Sequence, residues 1–208
     1  MSHHLFLREF FRNYHTTGAI LPSGRQLSRA LSRFVAEKNP SGRRILEVGP
    51  GTGAVTKHII AAMQPGDSLD LVELNESFVR QLEKHFIDDP HFKIAADRSR
   101  IYNCPVQDLP ADNKYDLIVS GLPLNNFSAE LVESILGKLT QLLKSGGTLS
   151  FFEYIAIRRA RSLISGKSER LRLRGIGRAM DAVLSKHEIR RDAILLNVPP
   201  AWVHHVRV

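Results

Sequence analysis

The sequence predicts an α/β domain: a seven-stranded, mostly parallel sheet with helices on both faces, a C-terminal antiparallel hairpin and an N-terminal helical extension over residues 1–40. Three observations carry this. From Arg44 onward, short apolar and β-branched runs alternate with helical periodicity, the pattern of parallel strands joined by crossover helices. The first run ends in a glycine-rich turn that opens a helix. Near the end, two strand-like runs are separated only by Pro199-Pro200, too short a link for a parallel crossover, so they should pair antiparallel. The 208 residues form a single expected domain, 1–208, because one core commonly serves about 100–200 residues.

The elements follow in order. Residues 5–14 (LFLREFFRNY) place Phe6, Leu7, Phe10, Phe11 and Tyr14 at helical spacing, with Arg8, Arg12 and Asn13 opposite. A second helix starts near Ser23, whose spacing to Gln26 is that of a capping box. Its apolar face is Leu27, Ala30, Leu31, Phe34 and Val35, and Arg25, Arg29 and Arg33 recur on another face. Arg44–Val48 is the first strand, Gly53–Met63 a helix stopped by Pro65-Gly66, and Leu69–Glu73 the second strand. Asn75 suits the cap of a helix reaching Phe86. Ile101–Cys104 and Tyr115–Ser120 read as strands, Ser128–Lys144 as a helix ended by Gly146-Gly147, and Thr148–Ile157 as the fifth strand. A basic helical stretch from Arg158 to about His187 precedes the runs Ala193–Val198 and Ala201–Val208.

Composition narrows the classes of function. Cys104 is the single cysteine, so no intrachain disulfide forms, which fits a reducing compartment. No apolar run approaches the ~20 residues that span a bilayer, and Met1-Ser2-His3-His4 lacks the order of a secretory signal. A cytoplasmic protein, peripheral on the inner face of the membrane, is expected. The net charge of +8 favours a polyanionic partner, either nucleic acid or an anionic lipid surface. His3, His4 and His15 lack a second ligand cluster at metal spacing, so no metal site is expected.

The strongest signal is Ile45-Leu-Glu-Val-Gly-Pro-Gly-Thr-Gly53. Glycines let the backbone take positive φ and approach a ligand, and the following helix start favours polar or negative ligand groups. Gly49, Gly51 and Ala54 also satisfy the relaxed dinucleotide pattern. Glu47, two residues before Gly49, argues against a pyrophosphate, which it would repel, and suits a cationic ligand group. Glu73 ends the second strand about 20 residues beyond, where a carboxylate accepts hydrogen bonds from ribose hydroxyls.

Glu47, Gly49, Gly51, Gly53 and Glu73 together resemble the cofactor motifs of the Rossmann-like class I S-adenosylmethionine-dependent methyltransferases. The resemblance implies S-adenosylmethionine as cofactor, with Leu74 and Ser120 completing its contacts. The usual glycine–acid pair after the third strand is absent, so adenine recognition falls to backbone groups near Val106 and to Gln107.

The acceptor is read from the loop Ser120-Gly-Leu-Pro-Leu-Asn-Asn-Phe127. Enzymes that methylate adenine amines in RNA carry an N-L-P-[YF] tetrapeptide there, whose aromatic stacks on the base. This chain has Gly121 and Leu124 at those two places, forgoing roughly 1–3 kcal/mol of stacking. The loop, the run Gly18-Ala-Ile-Leu-Pro-Ser-Gly-Arg25, the turn Cys104-Pro-Val-Gln107 and the terminal Asn197-Val-Pro-Pro-Ala-Trp-Val203 together resemble the bacterial phospholipid N-methyltransferases. That implies methylation of phosphatidylethanolamine towards phosphatidylcholine; related enzymes act on ornithine lipids.

On this basis residues 5–14 are expected to dock at an anionic membrane surface. Residues 158–191 are expected to cover the acceptor site and offer arginines to lipid phosphate. Tyr14, Asn125 and Tyr154 are the candidates for orienting the amine, with Asn126 and His204 as further polar groups. Arg25, Leu122, Pro123 and Asn126 are the expected acceptor contacts, and the aromatic faces of Trp202 and Phe127 are candidates for stabilising a quaternary nitrogen. The aminolipid and the membrane are the expected partners; nucleic acid is not, and no obligate protein partner is evident. The rival functions are an RNA adenine-N6 methyltransferase, a non-catalytic nucleic-acid or membrane-surface module, and, least favoured, a nicotinamide oxidoreductase.

Overall fold

A computed structural model describes residues 24–39, 41–112, 114–155 and 166–208. Its strands are β1 (Arg44–Val48), β2 (Ser68–Val72), β3 (Ser99–Tyr102), β4 (Tyr115–Ser120), β5 (Leu143–Tyr154), β6 (Glu188–Ile194) and β7 (Ala201–Arg207). The helices are α1 (Arg25–Leu31), α2 (Ala54–Ala62), α3 (Glu76–Asp88), the single turn α4 (Pro90–Lys93), α5 (Ala129–Leu142) and α6 (Lys167–His187). The strands form one sheet in the order β3-β2-β1-β4-β5-β7-β6. Pairings from β3 through β5 are parallel, and β7 runs antiparallel to both β5 and β6. This is the predicted architecture.

The topology positions the site. The chain moves outward from β1 to β2 and β3, then returns to the other side of β1 at β4. The loops after β1 and β4 therefore diverge at the carboxyl edge, the place where ligands bind in open α/β sheets. Because β7 is antiparallel to its two neighbours, β6 runs parallel to β5 and α6 is their crossover. The β6–β7 turn consequently shares the carboxyl edge with the loops after β1, β2 and β4.

Both sheet faces are buried, as the near-continuous apolar strands require. On one face Leu46, Val48 and Ile118 pack under Leu131, Ile135 and Leu139 of α5 and Leu173, Ile176 and Met180 of α6. On the other, Ile45, Leu69, Leu71 and Leu117 lie under Leu27 and Leu31 of α1 and Val55 and Ile59 of α2. The predicted apolar face of the second helix, Leu27 through Val35, is buried throughout. Asn75 caps α3 by accepting from the Ser77 amide at 2.8 Å, and Ser128 caps α5 by accepting from Leu131 at 3.3 Å.

Several boundaries differ from expectation. The sixth strand is Glu188–Ile194 rather than Ala193–Val198. As the sheet's edge strand it carries charged side chains on a solvated face, with Asp192 paired to Arg33 and Arg190. The apolar run beyond it forms an exposed turn instead. β3 starts and ends two residues earlier than predicted. Regular β4–β5 pairing begins at Thr148, after an irregular stretch in which Gly146 has φ 78°. The cap of α1 is Gly24, without a side-chain hydrogen bond; Ser23 and the expected helix 5–14 lie outside the described residues, as do Arg158–Arg161 of the basic segment.

Candidate active site

Three loops are locked together at the carboxyl edge. The Gly49 amide donates to the Val72 carbonyl at 2.9 Å, and the Gly121 amide donates to the Val48 carbonyl at 2.8 Å. Gly49, Gly51 and Gly53 have φ of 71°, 56° and 85°, the left-handed region that only glycine enters without strain. A Cβ on Gly49 would lie 2.6 Å from the Leu122 Cδ2, whereas one on Gly51 would meet nothing within 4 Å. Gly51 is thus the point of the loop that a ligand can approach.

The Glu73 carboxylate ties this loop to the end of β2. One oxygen accepts from the Gly51 amide at 3.0 Å and the other from the Asn75 amide at 2.8 Å. Burial raises the Glu73 pKa, and these amides oppose the shift. The Asn103 side chain donates to the carbonyls of Glu73 and Leu74, at 2.9 and 3.2 Å, and so fixes β2 to the loop after β3.

Glu47 lies fully buried in β1, and neither of its carboxylate oxygens has a hydrogen-bond partner among the described residues. Burial pushes its pKa up to about 8; the Thr56 hydroxyl opposes this and the neighbouring Glu73 charge adds to it. A buried carboxylate without a partner is costly, and a cationic ligand group beside it would offset that cost.

Beside the glycine loop a small open cleft is lined by Val72, Glu73, Leu74, Cys104, Pro105, Val106, Gln107, Leu122 and Ile135 among others. Its walls are apolar except for Glu73 and Gln107. The Gln107 amide nitrogen and oxygen are both buried without partners among the described residues. An unmatched donor–acceptor pair over apolar walls is what the edge and faces of a purine would satisfy. The orphaned Glu47, the orphaned Gln107 and the open space above Gly51 all fit the cofactor expected from the sequence.

The loop after β4, from which the sequence reading takes the acceptor, folds into a single 3₁₀ turn, Leu124–Asn126. Asn125 is buried; its Nδ2 donates to the Tyr154 carbonyl at 3.4 Å and its Oδ1 has no partner among the described residues. The loop is clamped from α6: the Arg172 guanidinium donates to the Asn125 carbonyl at 3.2 Å and to the Phe127 carbonyl, and Glu169 holds it at 2.6 Å. Pro123 is buried and Asn126 half-buried in the same loop.

Other predicted residues take different places. Ser120 is buried at the end of β4, where its hydroxyl accepts from the Leu122 amide at 3.4 Å and shapes the turn. Leu122 packs on Gly49 and lines the cleft, so it faces the cofactor side. Tyr154 is a buried tyrosine edge-on to Phe152, its pKa raised by burial, so the phenol stays protonated. Phe127 is fully buried and so presents no free face to an acceptor, while the half-buried Trp202 has one face covered by the Arg191 guanidinium at 4.7 Å. His204 is buried between Glu188 at 2.6 Å and Glu153 at 3.4 Å, stacked on Phe151. Arg25 opens α1 and is exposed. Tyr14 lies outside the described residues. Asn103 and Arg172 carry no mark in the sequence: nothing in a run of arginines singles out the one that folds inward onto two carbonyls.

Comparison with known proteins agrees with this geometry. Residues 46–149 match the methyltransferase domain family. The chain is 30% identical over 146 residues to an ornithine lipid N-methyltransferase of Singulisphaera acidiphila, covering 70% of this chain and 74% of that protein. It is 32% identical over 115 residues to the ribosomal RNA small subunit methyltransferase A of Synechococcus elongatus, covering 53% of this chain and 39% of that one. In fold it is similar to the O-methyltransferase TomG of Streptomyces achromogenes, solved with S-adenosylmethionine, at a TM-score of 0.67 and 12% identity, covering 100% of this chain and 91% of the other. That last likeness speaks for the fold alone.

Proposed function

The chain belongs to the class I S-adenosylmethionine-dependent methyltransferases, and within that family we propose that it methylates the amine of a membrane aminolipid. Its cofactor is S-adenosylmethionine, which supplies when bound an electrophilic methyl group on a sulfonium. Glu73 would accept from the ribose hydroxyls, Glu47 would face the ammonium end, and the Gln107 amide would read the adenine edge between Leu74 and Val106.

The observation that carries the acceptor reading is the packing of Gly121. A Cβ there would lie 2.7 Å from the Gly49 carbonyl oxygen, so this loop has no room for the asparagine that adenine-N6 enzymes place at that point. With Leu124 and Phe127 both buried, no aromatic of this loop is left to stack on a base. The loop instead offers an apolar wall and the Asn125 Oδ1, which has no partner among the described residues and suits orientation of a small amine. Tyr154 remains protonated, so it serves as an orienting group, and the amine loses its proton to water. Alignment at near-attack distance is the main contribution required of the protein, by effective-molarity arguments up to ~7–11 kcal/mol.

Phosphatidylethanolamine and ornithine lipid both present a primary amine at the headgroup. The similarity to an ornithine lipid N-methyltransferase supports the second beside the first. Net charge of +8 supports an anionic surface as the meeting place. Among the described residues no helix is long and apolar enough to cross a membrane. Residues 5–14 would add a docking helix; deleting residues 1–14 is expected to lower activity on liposomes more than cofactor affinity.

The deciding experiment supplies labelled S-adenosylmethionine with liposomes containing phosphatidylethanolamine, liposomes containing ornithine lipid, and structured RNA in parallel. Label in an organic-extractable lipid is expected, and the preferred lipid assigns the acceptor. Label in RNA with none in lipid would overturn the proposal and leave the cofactor site intact.

A further inference from the structure

The turn between β6 and β7 exposes Leu195, Leu196 and Val198 by 69%, 81% and 74%. Three large apolar side chains clustered in water mark an interaction surface more often than chance exposure. The turn is held in place: Asn197 Oδ1 accepts from the Gly24 amide at 3.3 Å and Asn197 Nδ2 donates to the Pro199 carbonyl at 2.7 Å. It is also tied to the acceptor loop. Ile194 pairs with Ala201, Ala201 pairs with Tyr154, and the Tyr154 carbonyl accepts from Asn125. The Pro200 carbonyl accepts from the Ile155 amide at 2.9 Å.

Cations flank this tip from both faces of the sheet. Arg25 begins α1 on one face, while exposed Arg170 and Arg174 belong to the start of α6 on the other, with the exposed Leu171 between them. At the base of the tip Arg191 lies over Trp202. The acids nearby are already engaged, Glu169 by Arg172 and Asp192 by Arg33 and Arg190.

We infer that the β6–β7 turn is a membrane-inserting tip, with Leu195, Leu196 and Val198 entering the headgroup–acyl boundary of an anionic bilayer beside the acceptor loop. The inference rests on the aminolipid reading and adds to it the surface that brings enzyme and bilayer together. A convex apolar projection needs a yielding partner, which a fluid bilayer is. Arginine stems extend along apolar surface while their heads reach phosphate, and tryptophan is at home at that depth. Apolar insertion and attraction to anionic lipid reinforce each other.

Trp202 is the only tryptophan in the chain, so its fluorescence reports on the tip alone. The full chain is mixed with vesicles of phosphatidylcholine and phosphatidylglycerol, with and without brominated acyl chains. Trp202 emission is expected to shift to the blue and to be quenched by bromine. The double substitution Leu195→Ser, Leu196→Ser is expected to weaken vesicle binding by at least about tenfold, with S-adenosylmethionine affinity unchanged as proof of folding. Equal vesicle binding by that variant, or bound protein whose Trp202 is not quenched, would overturn the tip. So would a concentration-dependent dimer that the same substitutions dissolve, since a second copy would then cover the leucines. Methyl transfer to aminolipid dispersed in detergent micelles separates the two ideas. Activity there without tip-dependent vesicle binding sinks the tip alone, and no lipid methylation in either form sinks the aminolipid reading.

Discussion

Gly121 lies so close to Gly49 that a side chain on the first would press on the carbonyl oxygen of the second, 2.7 Å from a Cβ. The loop after β4, proposed to face the acceptor, and the glycine loop, proposed to cradle the cofactor, therefore share one contact. Gly121→Asn restores the asparagine of adenine-N6 enzymes but forces the two loops apart. Overpacking of this kind costs about 1–3 kcal/mol, so S-adenosylmethionine should bind about tenfold weaker, as calorimetric titration would read. No transfer to RNA should appear. Undiminished cofactor affinity would mean that the loops yield freely and that this contact sets nothing.

Glu47 is expected to couple cofactor binding to pH. With its pKa near 8, the carboxyl is mostly protonated at pH 7 in the free protein. Facing a ligand ammonium it must ionise, so binding should release close to one proton at pH 7, below the range where an α-amino group titrates (about 7.7–8.0). Calorimetry in buffers of different ionisation enthalpy counts that proton. Glu47→Gln should release none and bind about tenfold to a hundredfold weaker, the scale of a lost charge-assisted hydrogen bond. Stability runs the other way. A raised folded pKa means that the free protein loses stability as pH climbs from about 4.5 towards 8, and the glutamine variant should lack that slope.

What the sequence could and could not disclose follows from which signals are local. Glu47, the three glycines and Glu73 are legible because one continuous strand–turn–helix and one strand end dictate their places. The antiparallel hairpin is legible from the shortness of Pro199-Pro200. The true limits of β6 are not, because an edge strand bearing Arg190, Arg191 and Asp192 lacks the apolar alternation that marks a half-buried strand, while Leu195 and Leu196 supply that signal outside the sheet. Trp202 and His204 looked available to a substrate because burial and pairing to Arg191, Glu188 and Glu153 arise across the sheet, from residues far away in sequence.

Arg172 is such a long-range contact, and it makes a separable prediction. Its guanidinium bonds two carbonyls of the acceptor loop without touching the cofactor cleft. Arg172→Met should lower kcat on aminolipid about tenfold while leaving S-adenosylmethionine affinity within about twofold, because hydrogen bonds from a charged group contribute about 1.5–3 kcal/mol. Arg172→Lys should rescue only partly, since an ammonium cannot span both carbonyls and Glu169 as the planar fork does. An equal loss of cofactor affinity would show that the residue only supports the fold.

His205 is expected to set an acid limit. It is fully buried, its Nδ1 is 2.8 Å from the Ser150 hydroxyl, and its Nε2 lies 3.4 Å from Asp192. Burial lowers its pKa to about 4; Asp192 opposes this, and Arg33 and Arg190 add to it. The unfolded chain then binds a proton that the folded one refuses, so stability should fall as pH drops from about 6.5 towards 4, by on the order of 3 kcal/mol over the window. In the cofactor-free protein Glu47 has the opposite slope across part of this range, so the effect is best read in the Glu47→Gln background. There, urea denaturation midpoints at successive pH values should fall on acidification, and adding His205→Gln should flatten the curve between pH 6.5 and 4 while lowering stability at neutral pH. A slope unchanged by that second substitution would place the acid-labile group elsewhere.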